Sequence, residues 1–234
     1  MQIKNLFPLL ICCCVSAMMF GQEVVNVKAD QEINQVFTIK DIYRYEQFLL
    51  GKVQFRDGTS AEAKMNYHKL FEQMLFIDAN GDSLAVGNPE TIKFIIIGND
   101  TFYYNKGIFV ELIGAVNLIR LAKRQVLQEI DEQKTGAYGQ SYTNNSTVAN
   151  KNYYTVDGKP RLNVGEGTLF SQKKEYYISY KQDDFVPVTK KNIEKLFDDK
   201  AKDIKDYIKT NSINFANEQD LKKLIQFISE KILS

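Results

Sequence analysis

The chain of 234 residues contains no tryptophan, one histidine, four prolines and three cysteines. Each scarcity removes a class of chemistry. A histidine-based metal centre or a Ser-His-Asp triad would have to use His68, which sits in "NYHKLFEQ" with no Gly-x-Ser-x-Gly element in the chain. The three cysteines are Cys12, Cys13 and Cys14, all inside one apolar N-terminal run. The chain beyond that run therefore has no disulfide, no thiolate nucleophile and no cysteinyl metal site. One histidine and no further cysteine leave three-ligand zinc catalysis without ligands. Surplus charge is missing too. Thirty basic residues face 29 acidic ones, a net charge of +1, so nothing electrostatic points to nucleic acid or an anionic membrane surface. The "GEG" at 165–167 has neither the spacing nor the following helix of a phosphate loop. No cofactor is expected.

What is present begins with "MQIKNLFPLLICCCVSAMMFGQ". One lysine, Lys4, precedes an apolar run from Leu6 to about Phe20, and the small residue Gly21 follows. A run this short, below the roughly 20 residues of a membrane span, reads as a signal peptide over residues 1–21. Cleavage near Gly21–Gln22 predicts an exported chain, periplasmic or extracellular. Lipoprotein processing is the alternative, but Ile11 before Cys12 is not the small residue such sites carry. No second apolar run is long enough to span a bilayer.

The rest is 22–188, a body of short apolar runs broken by Gly, Asn and Asp, then 189–234, a segment of helical periodicity. Overall, 44% hydrophobic and 25% charged residues suit a globular protein with a core. In "FLLGKVQFRDGTSAEAKMNY" a loop at Asp57–Thr59 would set Val53 opposite Ala63 and Leu49 opposite Tyr67. One dry face and one wet face result. In "IFVELIGAVNLIRL" a type II′ turn at Gly114–Ala115 would set Val110 opposite Ile119. The run "LIRLAKRQVLQEIDEQK" has helix-forming residues but follows a tight turn, and it is read as a strand. Residues 135–152, small and polar and without periodicity, are read as a long loop. From Thr189, Ile193, Leu196, Phe197, Ile204, Tyr207 and Ile208 recur at helical spacing, with a break near Asp198–Asp199. Asn217 can cap a last helix burying Leu221, Leu224, Ile225, Ile228 and Ile232. The fold class is α+β, an antiparallel hairpin-rich body followed by a C-terminal helical segment packed on it.

Four features are candidates for chemistry. Glu111 is an acidic residue inside a strongly apolar run, where one carboxylate of a glycosidase-like pair could lie. In the expected hairpin it opposes Leu118, with Arg120 diagonal and close enough for an ion pair. His68 could be a general base or a strand-end histidine. "FIDANGDSLAV" places Asp78, Asn80 and Asp82 as a calcium loop would, yet Ser83 and Pro89 stand where that loop needs Gly and Glu. Asn80–Gly81 suits a two-residue hairpin turn instead, with Ile77 opposite Leu84 and Leu75 opposite Val86. The doublets Tyr103–Tyr104, Tyr153–Tyr154 and Tyr176–Tyr177 would each turn one ring in and one out, a possible binding surface or ordinary strand composition.

The ending "FGQ", the run "LLGKVQFRDGTSAEAKMNY" and the tail "IKDYIKTNSINFANEQDLKKLIQFI" together resemble secreted Bacteroidota proteins of unknown function. The resemblance implies envelope export and carries no functional residues with it. The sequence therefore points to an exported, non-enzymatic binding or structural protein whose partner is an envelope protein or glycan. A carboxylate-dependent hydrolase and a calcium-stabilised adhesion module are the alternatives. No catalytic, cofactor-binding or metal residue is assigned.

Overall fold

The computed structural model describes residues 24–27, 36–130 and 168–233. The signal-like segment 1–21, the polar stretch 135–152 and Tyr153–Tyr154 lie outside the described residues. Eleven strands among the described residues form one sheet. They are β1 (Val24–Val27), β2 (Leu49–Phe55), β3 (Ser60–His68), β4 (Gln73–Ile77), β5 (Ser83–Ala85) and β6 (Ile92–Ile97), then β7 (Asp100–Asn105), β8 (Ile108–Val116), β9 (Ile119–Ile130), β10 (Thr168–Tyr180) and β11 (Val186–Pro187). A short helix, α1 (Ile39–Ile42), precedes β2, and three helices close the chain: α2 (Lys190–Leu196), α3 (Ala201–Thr210) and α4 (Glu218–Leu233). Every ladder is antiparallel, in the order β1-β10-β9-β8-β7-β6-β2-β3-β4-β5, with β11 on β10. The α+β reading stands, and the ambiguous run after Asn117 is strand.

Turn chemistry moves three hairpins from their expected registers. In β2–β3, Leu49 pairs with Met65 and Val53 with Ala61, a shift of two residues. The loop is Arg56–Asp57–Gly58, closed by the N–H of Phe55 donating to Thr59 O. Gly58 takes φ +93°, the left-handed position that a three-residue loop requires. Asp57 Oδ1 accepts from the N–H and hydroxyl of Thr59 at 2.8 and 2.7 Å, locking this loop. A shift of two leaves every side chain on its expected face.

In β4–β5 the shift is one residue: Ile77 opposes Ser83, Phe76 opposes Leu84 and Leu75 opposes Ala85. Leu84 consequently joins the face of Phe76, not that of Ile77, and is 44% exposed. The cause is Asp78, whose Oδ1 accepts from the N–H groups of Asn80 and Asp82 at 2.9 and 2.8 Å. Those bonds favour a three-residue loop ending at Gly81, φ +90°.

The β8–β9 turn lies at Asn117–Leu118 rather than Gly114–Ala115, with Val116 paired to Ile119 and Asn117 at φ +54°. Gly114 stays inside β8. A Cβ there would make ordinary contact with Ile225 Cδ1 of α4 at 3.5 Å, so the position lies under a helix without requiring glycine. Asn117 Nδ2 also donates to Ser229 Oγ of α4.

The helical segment follows its caps. Thr189 Oγ1 accepts from Asn192 N–H at 3.2 Å to start α2, and a 3₁₀ turn at Asp198–Lys200 interrupts the helix before α3. Asn217 Oδ1 accepts from the N–H groups of Gln219 and Asp220, capping α4. The stripe Leu221, Leu224, Ile225 and Ile228 is buried against Ile119, Leu121, Tyr176 and Ile178. Four such side chains contribute roughly 6–12 kcal/mol of gross burial energy, before chain entropy is counted.

A second core lies between β2, β3, β4, β6, β7 and β8, built on Val53, Met65, Tyr67, Met74, Ile95 and Phe102. The sheet coils round it. β4 comes against β8, and the β3–β4 turn reaches β9, where Leu127 N–H donates to Lys69 O at 3.1 Å. Arg124 of β9 fastens the same turn through Nε to Glu72 Oε2 at 2.8 Å, and through Nη1 to Glu175 of β10 at 2.6 Å.

Candidate functional site

Glu111 does not meet Leu118. Its cross-strand neighbours are Phe102 and Lys123, and it is 5% exposed. The segment after α1 sends Arg44 to it. Nε donates to Oε2 at 2.8 Å and Nη2 to Oε1 at 3.0 Å, while Lys123 Nζ lies 3.1 Å from Oε1. Nη2 of Arg44 also reaches Asp100 Oδ2 at 3.0 Å, and that oxygen accepts from the Tyr45 hydroxyl at 2.7 Å. The hydrogen bond to Glu111 holds the Arg44 pKa above its usual range. Burial, and then Asp100, raise that of Tyr45. Both oxygens of Glu111 are thus engaged by cations in a cluster tying the pre-β2 segment to β7, β8 and β9. Fork geometry of this kind orients an arginine firmly, and its chemistry here is cross-linking.

His68 is 3% exposed at the end of β3. Its Nδ1 accepts the Phe71 N–H at 3.1 Å, its ring stacks on Phe71 at 4.1 Å, and Tyr43 meets it edge-on at 4.8 Å. Burial is the main cause of a pKa pushed down to about 4, with the Lys69 charge adding to it. This is a packed, neutral histidine with no bond to Glu111 among the described residues. The Asp78 loop is a hairpin bend whose Oδ1 serves backbone N–H groups. Asp78 and Asp82 flank the loop, with Asp78 N–H donating to Asp82 O. They are the pair that closes the loop. Among the described residues, no group of three or more His, Cys, Asp or Glu gathers for a metal ion.

The two described tyrosine doublets, Tyr103–Tyr104 and Tyr176–Tyr177, depart from one-in, one-out. Tyr176 and Tyr177 are both buried, because both faces of β10 are covered. Tyr176 lies under the helices, and Tyr177 lies under Phe185 with Val110 and Ala122. Tyr103 packs on Phe94 and Phe185. Tyr104, half-buried, leans on Phe109 at 5.2 Å and borders a groove.

That groove is the feature the sequence did not disclose. Its volume is about 420 Å³, and it lies between the β2–β3 loop, the end of β7 and the segment after β10. Arg56, Tyr104, Lys106, Gln182, Asp183 and Asp184 line it. A second concavity of about 630 Å³ shares Arg56 and adds Phe55, Thr59, Glu90 and Thr91. Both volumes fall in the range of small-molecule sites, roughly 300–1,000 Å³. The walls are held in place. Arg56 Nε donates to Glu90 O at 3.1 Å, and its backbone N–H donates to Thr91 O at 2.9 Å. Buried Asn105 donates to Phe185 O and accepts its N–H, at 2.9 and 3.2 Å, which anchors the segment carrying Gln182–Asp184. Arg120 fixes Asp183 at 2.8 Å. One signal in the sequence could have found it: "RDG" and "NKG" are hairpin tips whose charged residues must face solvent.

The fold and groove define an antiparallel α+β protein with a polar cleft at its hairpin ends. No family model, no curated protein and no solved structure matches the chain.

Proposed function

We propose that this chain is an exported, non-enzymatic binding or structural protein of the bacterial envelope, and that it meets its partner, an envelope protein or glycan, at the groove around Arg56. One contrast carries the reading. The groups best suited to acid–base chemistry, Glu111 and His68, are buried and bonded within the fold. A groove of hairpin tips, by contrast, sets Arg56, Lys106 and Gln182–Asp184 around open space. Export rests on the lysine, apolar run and Gly21 of the N-terminus. Among the described residues no helix is long and apolar enough to cross a membrane.

Two measurements test this. Mass spectrometry of protein recovered from the cell envelope should find an N-terminus at Gln22 or Glu23; recovery of intact Met1 in the cytosol would sink export. Purified protein should release no product from glycan, peptide or ester substrates. Turnover that disappears in Glu111→Gln or His68→Asn would overturn the non-enzymatic reading.

A further inference from the structure

We infer that the groove at Arg56 takes a neutral, hydroxyl-rich ligand, a short oligosaccharide, with Tyr104 as its apolar wall; this rests on the binding reading above and names the ligand class for that site. Charge argues first. The charges of the lining pair off, Lys106 with Asp184 at 2.7 Å and Asp183 with Arg120 just behind at 2.8 Å, which leaves Arg56 as the one charge without an opposite partner among the described residues. An anion entering the groove meets both aspartates, and a cation meets both basic groups. A hydroxyl donates and accepts, so either kind of wall satisfies it.

Unused bonding capacity argues second. Arg56 commits Nε to Glu90 O, and its Nη1 and Nη2 have no protein partner among the described residues. Asp183 gives Oδ1 to Arg120, and Asp184 gives Oδ1 to Lys106 at 2.7 Å; each keeps its second oxygen. The fork of Arg56 Nη1 and Nη2 matches the paired vicinal hydroxyls of a sugar ring, and each remaining carboxylate oxygen can accept one further hydroxyl. Tyr104, half-buried against Phe109, is the aromatic side chain of the lining, the kind of group on which the C–H face of a pyranose packs.

Anchoring argues third. Arg56, Asp183 and the segment behind Asp184 are already tethered by Glu90, Arg120 and Asn105. Little freedom remains to be lost on binding. Arg56 walls both concavities, so a chain of more than one sugar ring can run past the guanidinium from one into the other.

The test is NMR titration of the purified protein with maltose, cellobiose and chitobiose at millimolar concentration, beside glutamate-rich and lysine-rich peptides. At least one disaccharide should shift the side-chain resonances of Arg56, Gln182 and Tyr104 and leave those of His68 unmoved. Arg56→Ala and the exposed-loop variant Gln182→Ala should each weaken binding at least threefold, with unfolding curves like the parent's. Peptides shifting these resonances while sugars do not would overturn the ligand class and leave the binding reading standing. No response to any probe would overturn the inference. Cleavage of a bound disaccharide would keep the ligand class and refute the non-enzymatic reading.

Discussion

His68 offers a perturbation whose size follows from the structure. Its folded pKa is about 4 against an ordinary 6.5, because burial disfavours the charged ring. The ionisable side chain nearest in the chain, Lys69, is itself a buried cation whose pKa is lowered by desolvation, so it does not offset the cost. Protonation also removes the lone pair that accepts the Phe71 N–H. The folded pKa is depressed, so the neutral ring is the form the fold favours. Stability from this group is complete above pH 6.5 and is lost as pH falls from 6.5 towards 4. The difference of 2.5 units corresponds to about 3.4 kcal/mol in full, of which about 3 kcal/mol is gone by pH 4. Against a total stability of roughly 5–15 kcal/mol, that is a large share. Urea denaturation at about pH 7.5 and pH 4, for the parent and His68→Asn, isolates it from the carboxylates, which both proteins share. Asparagine keeps an acceptor near Nδ1 and does not titrate. The variant should lose about 3 kcal/mol less than the parent over this interval. As the chain has one histidine, its ring resonance can also be titrated directly in the parent. A midpoint at or above about pH 6, or equal losses in the two proteins, would refute the reasoning.

Three further outcomes are expected. Arg44→Ala leaves Glu111 buried with only Lys123 and should cost about 3 kcal/mol in chemical denaturation; a loss under about 1 kcal/mol would deny the cluster its structural role. Gly51→Ala puts a Cβ 3.0 Å from Met65 Sδ and 3.2 Å from Ile96 O, and should destabilise by about 1–3 kcal/mol. Gly114→Ala meets Ile225 at an ordinary 3.5 Å and should be near neutral; equal costs at the two sites would refute the packing argument. Asp78→Ala should lose about 1 kcal/mol through its turn bonds, and the parent should melt at the same temperature in calcium and in chelator. A calcium-dependent rise that Asp78→Ala abolishes would restore the metal reading.

Particular residues show where sequence reasoning succeeds. Asn217 caps α4 as expected because a cap is a bond to a residue two or three places along. The stripe from Leu221 to Ile228 was readable because helical period is a local property. The β2–β3 face assignment survived a wrong register because the error was two residues. At Asp78 the error was one, and its side-chain bonds to the N–H groups of Asn80 and Asp82 decided it. Gly114 misled because a glycine inside a strand reads in sequence like a glycine that makes a turn.

By itself, the sequence determined what is local: the alternation that makes strands, the caps that start helices, and the poverty of Cys and His that removes whole chemistries. Tertiary structure alone decided what is joined across distance. Arg44 meets Glu111 across 67 positions of chain. The groove takes its walls from Arg56, Tyr104–Lys106 and Gln182–Asp184, three stretches that no sequence window spans. A bond between near neighbours is dictated by backbone geometry, whereas a site between distant strands exists only once sheet order and register have been chosen by the packing of the whole core.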